Sequence, residues 1–226
     1  MRYNNIFKAE FLSRPNRFIA KVLLNGRTET VHVKNTGRCG ELLVPGAQVF
    51  LEKGTSPGRK TEYDLVTVRK GSRLVNMDAQ APNRVFYEFA QSGRFMPDLT
   101  LIKPEYRLGD SRFDFCMESG QRRILAEIKG VTLERDNVVL FPDAPTERGL
   151  KHVRELTELC KEGYECAVVF VVQMEGAGYF TPNAETDPKL SRALAEARAA
   201  GVHILAYECS VSETEMNITV PVKVIL

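Results

Sequence analysis

Three ionic side chains on two adjoining stretches set the chemical question. Asp114 sits in "RFDFCMES", and Glu127 with Lys129 sits in "RILAEIKG". Both stretches carry the period of two that marks a strand. Phe113 and Phe115 share one side with Asp114 opposite, and Ile124, Ala126 and Ile128 share another with Leu125, Glu127 and Lys129 opposite. The short loop "ESGQ" makes the two strands neighbours, ~5 Å apart, so carboxylates on a common side can reach one cation. Asp and Glu oxygens suit Mg²⁺ or Mn²⁺, and such a divalent cation beside a lysine ammonium is equipped to hydrolyse a phosphodiester. The cation would activate water and offset charge on the phosphate, with Lys129 positioning water or phosphate. A solvated ion network on an exposed sheet face would contain the same residues, so their surroundings must decide.

Other groups could support this chemistry. Glu88, on a helix, and Glu105, on the strand before Asp114, are candidate additional metal ligands beside Asp114 and Glu127, with a solvated helix face and a strand end as their plainer accounts. The stretch "FPDAPTERGLKH" crowds Asp143, Thr146, Arg148, Lys151 and His152 at one helix start, where free N–H groups and cations favour phosphate. Thr146, Arg148, Lys151 and His152 are therefore candidate nucleic-acid contacts, although for His152 alone a solvated helix face is the simpler account. In "NTGRCGELLVPG", Thr36, Gly37 and Arg38 could offer backbone amides and a guanidinium to phosphate, and Arg38 is the DNA-contact candidate.

These residues must be positioned by 226 residues of which 43% are hydrophobic, enough for ordinary cores. Charge is segregated: residues 1–80 hold 14 Lys and Arg against 7 Asp and Glu, and the remainder holds 17 against 22. A basic module that grips polyanions, joined to one that concentrates carboxylates, would have this distribution. Five cysteines without a C-x-x-C pair argue against a disulfide framework or a thiolate zinc site. The longest apolar run, around Cys166–Val172, is too short for a membrane span, and no early segment resembles a signal peptide. The expectation is a soluble cytoplasmic protein without membrane partners or a small-molecule cofactor.

Residues 1–80 read as short strands, with "RFIAKVLL", Asn25-Gly26 and "TETVHVKN" forming a tight hairpin. Five or six strands in a basic segment suit a small barrel of the OB type, with an SH3-like barrel as competitor. The period then changes. Val85, Phe86, Phe89 and Ala90 form a helical stripe, with Asn83 as its expected cap and Gly93 as its end. Strands follow near residues 100–107, 111–117, 123–131 and 137–141, then a helix begun by Pro145 and ended by Gly163. "ECAVVFVVQ" and "VHILAYEC" read as buried strands around the amphipathic helix "DPKLSRALAEARAAG", and "MNITVPVKVIL" as an edge strand. The fold class is α/β (α+β): an OB-like β-barrel over 1–80 as a nucleic-acid-binding domain, then an α/β domain with a mixed sheet over 81–226.

A helix, a meander carrying D and E-x-K, then a helix and a strand resembles the PD-(D/E)xK nuclease superfamily, with Phe113 standing where that pattern has Pro. More closely, "NTGRCGELLVPGA", "SRFDF", "EIKGVTL" and "FPDAPTERGLKH" resemble the sugar fermentation stimulation protein family over nearly the whole chain. That resemblance implies an OB-like domain followed by a nuclease-like domain, DNA as partner, and Asp114, Glu127 and Lys129 as the nuclease-like site. It also implies a regulatory link to sugar (maltose-type) catabolism. Two functions follow as expectations. One is Mg²⁺- or Mn²⁺-dependent cleavage of DNA, single-stranded or branched included. The other is a DNA-binding transcription regulator that uses the nuclease fold as scaffold, and a homodimer is compatible with either. A sugar-handling enzyme has no motif behind it.

Overall fold

The computed structural model describes all 226 residues. Strands β1 (Ile6–Asn16), β2 (Ile19–Leu24) and β3 (Arg27–Val33) form an antiparallel meander. Asn25 and Gly26 between β2 and β3 take φ of 50° and 78°, the two positive values a type I′ turn requires. On its other edge β1 pairs with β4 (Gln48–Lys53), and β4 with β5 (Tyr63–Lys70). The barrel closes where β5 meets β3 in parallel, at His32↔Asp64 and Val33↔Leu65. This closed five-stranded order is OB-like, as expected, and β6 (Arg73–Asn76) leaves it as a hairpin arm from β5.

Helix α1 (Ala81–Gln91) has Pro82 in its first turn and buries Val85, Phe86, Phe89 and Ala90. Its N-cap is Gln80, which makes no side-chain cap bond, so Asn83 is not the cap. Gly93, at φ 73°, follows the C-cap as expected. Next comes the meander β7 (Leu101–Leu108), β8 (Ser111–Ser119) and β9 (Arg122–Val131). The small strands β10 (Leu133–Arg135) and β11 (Val138–Phe141) lead into α2 (Glu147–Lys161). Pro145 does not open α2: Thr146 caps it, its Oγ1 accepting from the Gly149 N–H at 3.1 Å, a cap contributing about 1 kcal/mol.

Strand β12 (Glu165–Val172) pairs in parallel with β9. The chain continues through β13 (Tyr179–Pro182), α3 (Pro188–Ala199), β14 (His203–Val211) and β15 (Met216–Pro221). The mixed sheet runs β15-β14-β12-β9-β8-β7, with β15 at an edge, and β13 joins β11 in a separate three-stranded sheet. Alternating residues of β12 serve two cores. Ala167, Val169 and Val171 pack with α1 on one face, whereas Val168, Phe170 and Val172 join α2, α3 and the barrel interior on the other. Because barrel side chains belong to that second cluster, the barrel rests directly on the α/β unit. A polar tie reinforces this contact: Lys70 Nζ reaches Glu134 Oε2 at 2.7 Å. No helix is long and apolar enough to cross a membrane.

Candidate functional site

Strand β8 pairs with β9 from Ser119↔Arg122 to Phe115↔Ala126, and the ladder stops there. One more step in register would set Asp114 opposite Glu127. Instead of continuing the ladder, Asp114 turns its carboxylate to the partner strand. Its Oδ2 accepts from the Ile128 N–H at 2.8 Å and its Oδ1 from Asn83 Nδ2 at 3.1 Å. The alternation of β8 breaks here: Phe115 packs beneath α1, whereas Phe113 enters the core on the barrel side. On the opposite flank, the pairing of β7 with β8 skips the position where Glu105, at φ 50°, would face Asp114. The sheet therefore parts around Asp114.

Glu127 fills the adjoining position and is only 2% exposed. Its Oε1 receives Lys129 Nζ at 2.5 Å and also contacts His152 Nδ1. Its Oε2 is buried without a hydrogen-bond partner. The two carboxyl groups differ electrostatically. Burial raises the Asp114 pKa above the ordinary carboxyl value, and the charge of Glu127 raises it further, against the Ile128 N–H, Lys129 and Asn83. Burial pushes Glu127 upward too, yet the contacts with His152 and Lys129 outweigh it and hold that carboxyl below its ordinary value. Two hard oxygen donors, one with an unpartnered buried atom, are a donor set that fits a divalent cation.

The other expected ligands lie elsewhere. Glu88 pairs through Oε2 with the Met1 ammonium at 2.6 Å, its side chain 52% exposed. Five residues separate it from Asn83, so it projects ~140° around α1 from the side that meets Asp114. Glu105 is 74% exposed and lies 3.8 Å from Arg112. No three His, Cys, Asp or Glu side chains gather as a metal-holding group, so the four-carboxylate set is not assembled.

The residues expected at the phosphate clamp also part company. Arg148 and Lys151 face solvent, Lys151 beside Glu155 at 3.5 Å. Thr146 is committed to its cap, and its N–H donates to Asp187 Oδ2 at 3.0 Å. His152 is no solvated helix residue, being 9% exposed and turned inward onto Glu127. In the 35–39 loop two of the amides expected for phosphate are already used, the Gly37 N–H donating to Asn35 Oδ1 at 2.8 Å. Arg38 N–H donates to Asp143 Oδ2 at 2.8 Å and Cys39 N–H to the same oxygen at 3.4 Å. Arg14 ties the same loop from below through the carbonyls of Asn35, Gly37 and Arg38. Asp143 is thus a strap between barrel and α/β unit, while the Arg38 side chain remains exposed.

Sequence reasoning missed Asn83 as the Asp114 partner and Gln173 altogether. A signal existed for His152: Gly149, His152, Val153 and Leu156 share the buried stripe of α2, where a polar side chain needs a partner.

Comparisons with known proteins agree with this architecture. A family model described as the SfsA N-terminal OB domain matches residues 12–77, and one described as the sugar fermentation stimulation protein RE domain matches residues 80–215. A sugar fermentation stimulation protein homolog of Desulfitobacterium hafniense strain Y51 is 55% identical over 217 residues, covering 96% of this chain and 95% of that one. The homolog of Clostridium beijerinckii is 51% identical over 226 residues, covering 100% of both. The solved structure of Pyrococcus furiosus SfsA in complex with Ca²⁺ superposes with a TM-score of 0.91 at 29% identity, covering 100% of this chain and 98% of that one.

Proposed function

We propose a function from the premise that the chain belongs to the sugar fermentation stimulation protein family. It binds DNA and hydrolyses phosphodiester bonds, with Asp114 and Glu127 holding a divalent cation, Mg²⁺ or Mn²⁺, and Lys129 beside them. The observation that carries this reading is the buried, unpartnered Glu127 Oε2 next to the carboxylate of Asp114. The Ca²⁺ in the related Pyrococcus furiosus structure supports it. A bound cation would supply activation of water and compensation of phosphate charge. The chain's own side chains prepare that chemistry. Asn83 and the Ile128 amide aim Asp114, His152 and Lys129 fix Glu127 through Oε1, and the Lys129 ammonium is placed to steady a phosphate oxygen. Exposed Arg38, Arg148 and Lys151 attract the DNA backbone, with the barrel as the second DNA-binding surface.

Incubation of the purified protein with Mg²⁺ or Mn²⁺ and single-stranded, duplex or branched DNA tests the reading. Cleavage that Asp114→Ala abolishes, with folding and most DNA affinity retained, is the expected result. Intact DNA throughout would overturn it.

One observation favours the second reading, a DNA-binding regulator linked to sugar catabolism: the two carboxylates gain no third acidic or histidine ligand. That protein would bind DNA with strong salt dependence and no metal requirement. Titration with Mn²⁺ separates the two, since saturable binding lost in Asp114→Ala belongs to the nuclease alone.

A further inference from the structure

Farther along β9 than Glu127 and Lys129, a cleft of about 340 Å³ opens between the 35–37 loop of the barrel and the 140–146 segment ahead of α2. It lies past the carboxyl ends of the parallel strands β9 and β12, where open α/β sheets hold ligands. Gly130, the residue after Lys129 on β9, forms part of its wall.

Its chemistry differs from that of the ionic group. The lining holds no lysine or arginine, and its one charged residue, Asp143, points Oδ2 at the Arg38 and Cys39 amides. A phosphate has no cation to meet there. Phe141 and Leu140 supply apolar surface, while Asn35, Thr132 and Gln173 supply polar groups.

Gln173 is the informative residue. It is 1% exposed, and its Nε2 donates to Asn76 Oδ1 at 2.8 Å and to the Asp78 carbonyl at 3.1 Å. The amide orientation follows from a chain of obligatory donors. The Asp78 N–H must donate to Asn76 Oδ1, which sends Asn76 Nδ2 to Tyr3 Oη and leaves only an N–H of Gln173 able to serve Asn76 Oδ1. The Gln173 Oε1 is thereby turned toward Gly130 in the cleft wall, and no side chain or N–H of the chain donates to it. A Cβ on Gly130 would collide with that oxygen and with Pro82, so glycine is what leaves room for it.

We infer that this cleft receives one unpaired nucleobase of the strand whose phosphate lies at Asp114, Glu127 and Lys129, so that the protein selects single-stranded or unpaired nucleic acid. A base is flat and uncharged, fits this volume, and carries N–H donors on its pairing edge for Gln173 Oε1 with a face for Phe141. In a duplex those donors are already engaged and the base is stacked, so entry requires unpairing. The inference rests on the proposed DNA-binding site and deepens it.

The test uses full-length Asp114→Ala protein, which leaves the strand uncut, and short single strands carrying 2-aminopurine or an abasic site at successive positions. Anisotropy of a fluorescein label reports strand binding independently. Expected are a drop in 2-aminopurine emission at one position and roughly tenfold weaker binding when that position is abasic. A Gln173→Met exchange added to this protein should weaken the intact strand by a similar factor and leave the matching abasic strand unchanged. Should the variant fail to fold, the abasic scan with Gln173 in place still decides. If the strand binds while emission and affinity ignore position, the base site is refuted and the DNA-binding reading stands. If no strand binds at all, both are refuted.

Discussion

His152 Nδ1 contacts Glu127 Oε1 although 25 residues separate the two in sequence. With Lys129 on the same oxygen, the contact fixes the rotation of the carboxylate and leaves Oε2 as the atom free for a cation. A residue from the first turns of α2 thus completes a group that otherwise belongs to the meander.

Removing that contact should loosen the site before it harms the fold. His152→Ala is expected to weaken Mn²⁺ binding about tenfold or more, the usual cost of losing a group that orients a metal ligand. His152→Asn, whose amide nitrogen can approximate Nδ1, should restore part of the affinity. Calorimetric titration of the three proteins checks this, and equal affinities would dismiss a positioning role.

The two carboxyl groups should respond oppositely to neutralisation. Asp114 has a raised folded pKa, so its charged form is disfavoured in the fold and its contribution to stability falls as pH rises through that value. Asp114→Asn is therefore expected to raise the Tm of metal-free protein near neutral pH, with the gain vanishing at pH below about 4, where ordinary carboxyls take up protons. Glu127 has a lowered pKa, so its stabilising contribution is present above the ordinary glutamate value and lost as pH falls through the folded one. Glu127→Gln should lower the Tm at neutral pH, with the deficit shrinking on acidification. Thermal melts in chelator across this range measure both signs.

The strap between barrel and α/β unit should be breakable from either side. Asp143→Ala strands the Arg38 and Cys39 amides, and Gly37→Ala places a methyl 2.5 Å from Asp143 Oδ2 and 2.9 Å from Asn35 Oδ1. Each is expected to cost about 1–2 kcal/mol and to speed proteolysis in the 34–46 segment. Cleavage patterns identical to those of the unaltered protein would show the strap to be dispensable.

Glu88 and Glu105 should be bystanders to the metal. Glu88→Gln and Glu105→Gln are expected to leave Mn²⁺ affinity within about twofold, since neither side chain touches Asp114 or Glu127. A tenfold loss in either would reinstate it as a ligand.

Much of this arrangement was legible in the chain itself. Period-two alternation in β9 puts Glu127 and Lys129 on one face, although in β8 it fails at Phe113, which enters a different core from Phe115. The Asn25-Gly26 dipeptide dictates a hairpin whose φ values are as required. The stripe of Val85, Phe86, Phe89 and Ala90 marks α1 and its buried face. These signals are local, because a side chain's direction follows from backbone period and turn chemistry within a few residues. Contacts across the chain were decided otherwise. Closure of the barrel by β3 against β5, the halt of the β8 ladder at Phe115, the turn of His152 onto Glu127 and the approach of Asn83 to Asp114 depend on register and helix crossing. No residue's own neighbours encode them. Where a strand or helix runs regularly the sequence by itself determined which side chains share a face. Tertiary packing decided where β8 departs from that period and which faces meet, because a buried polar atom takes whatever partner the assembled core brings within hydrogen-bond reach.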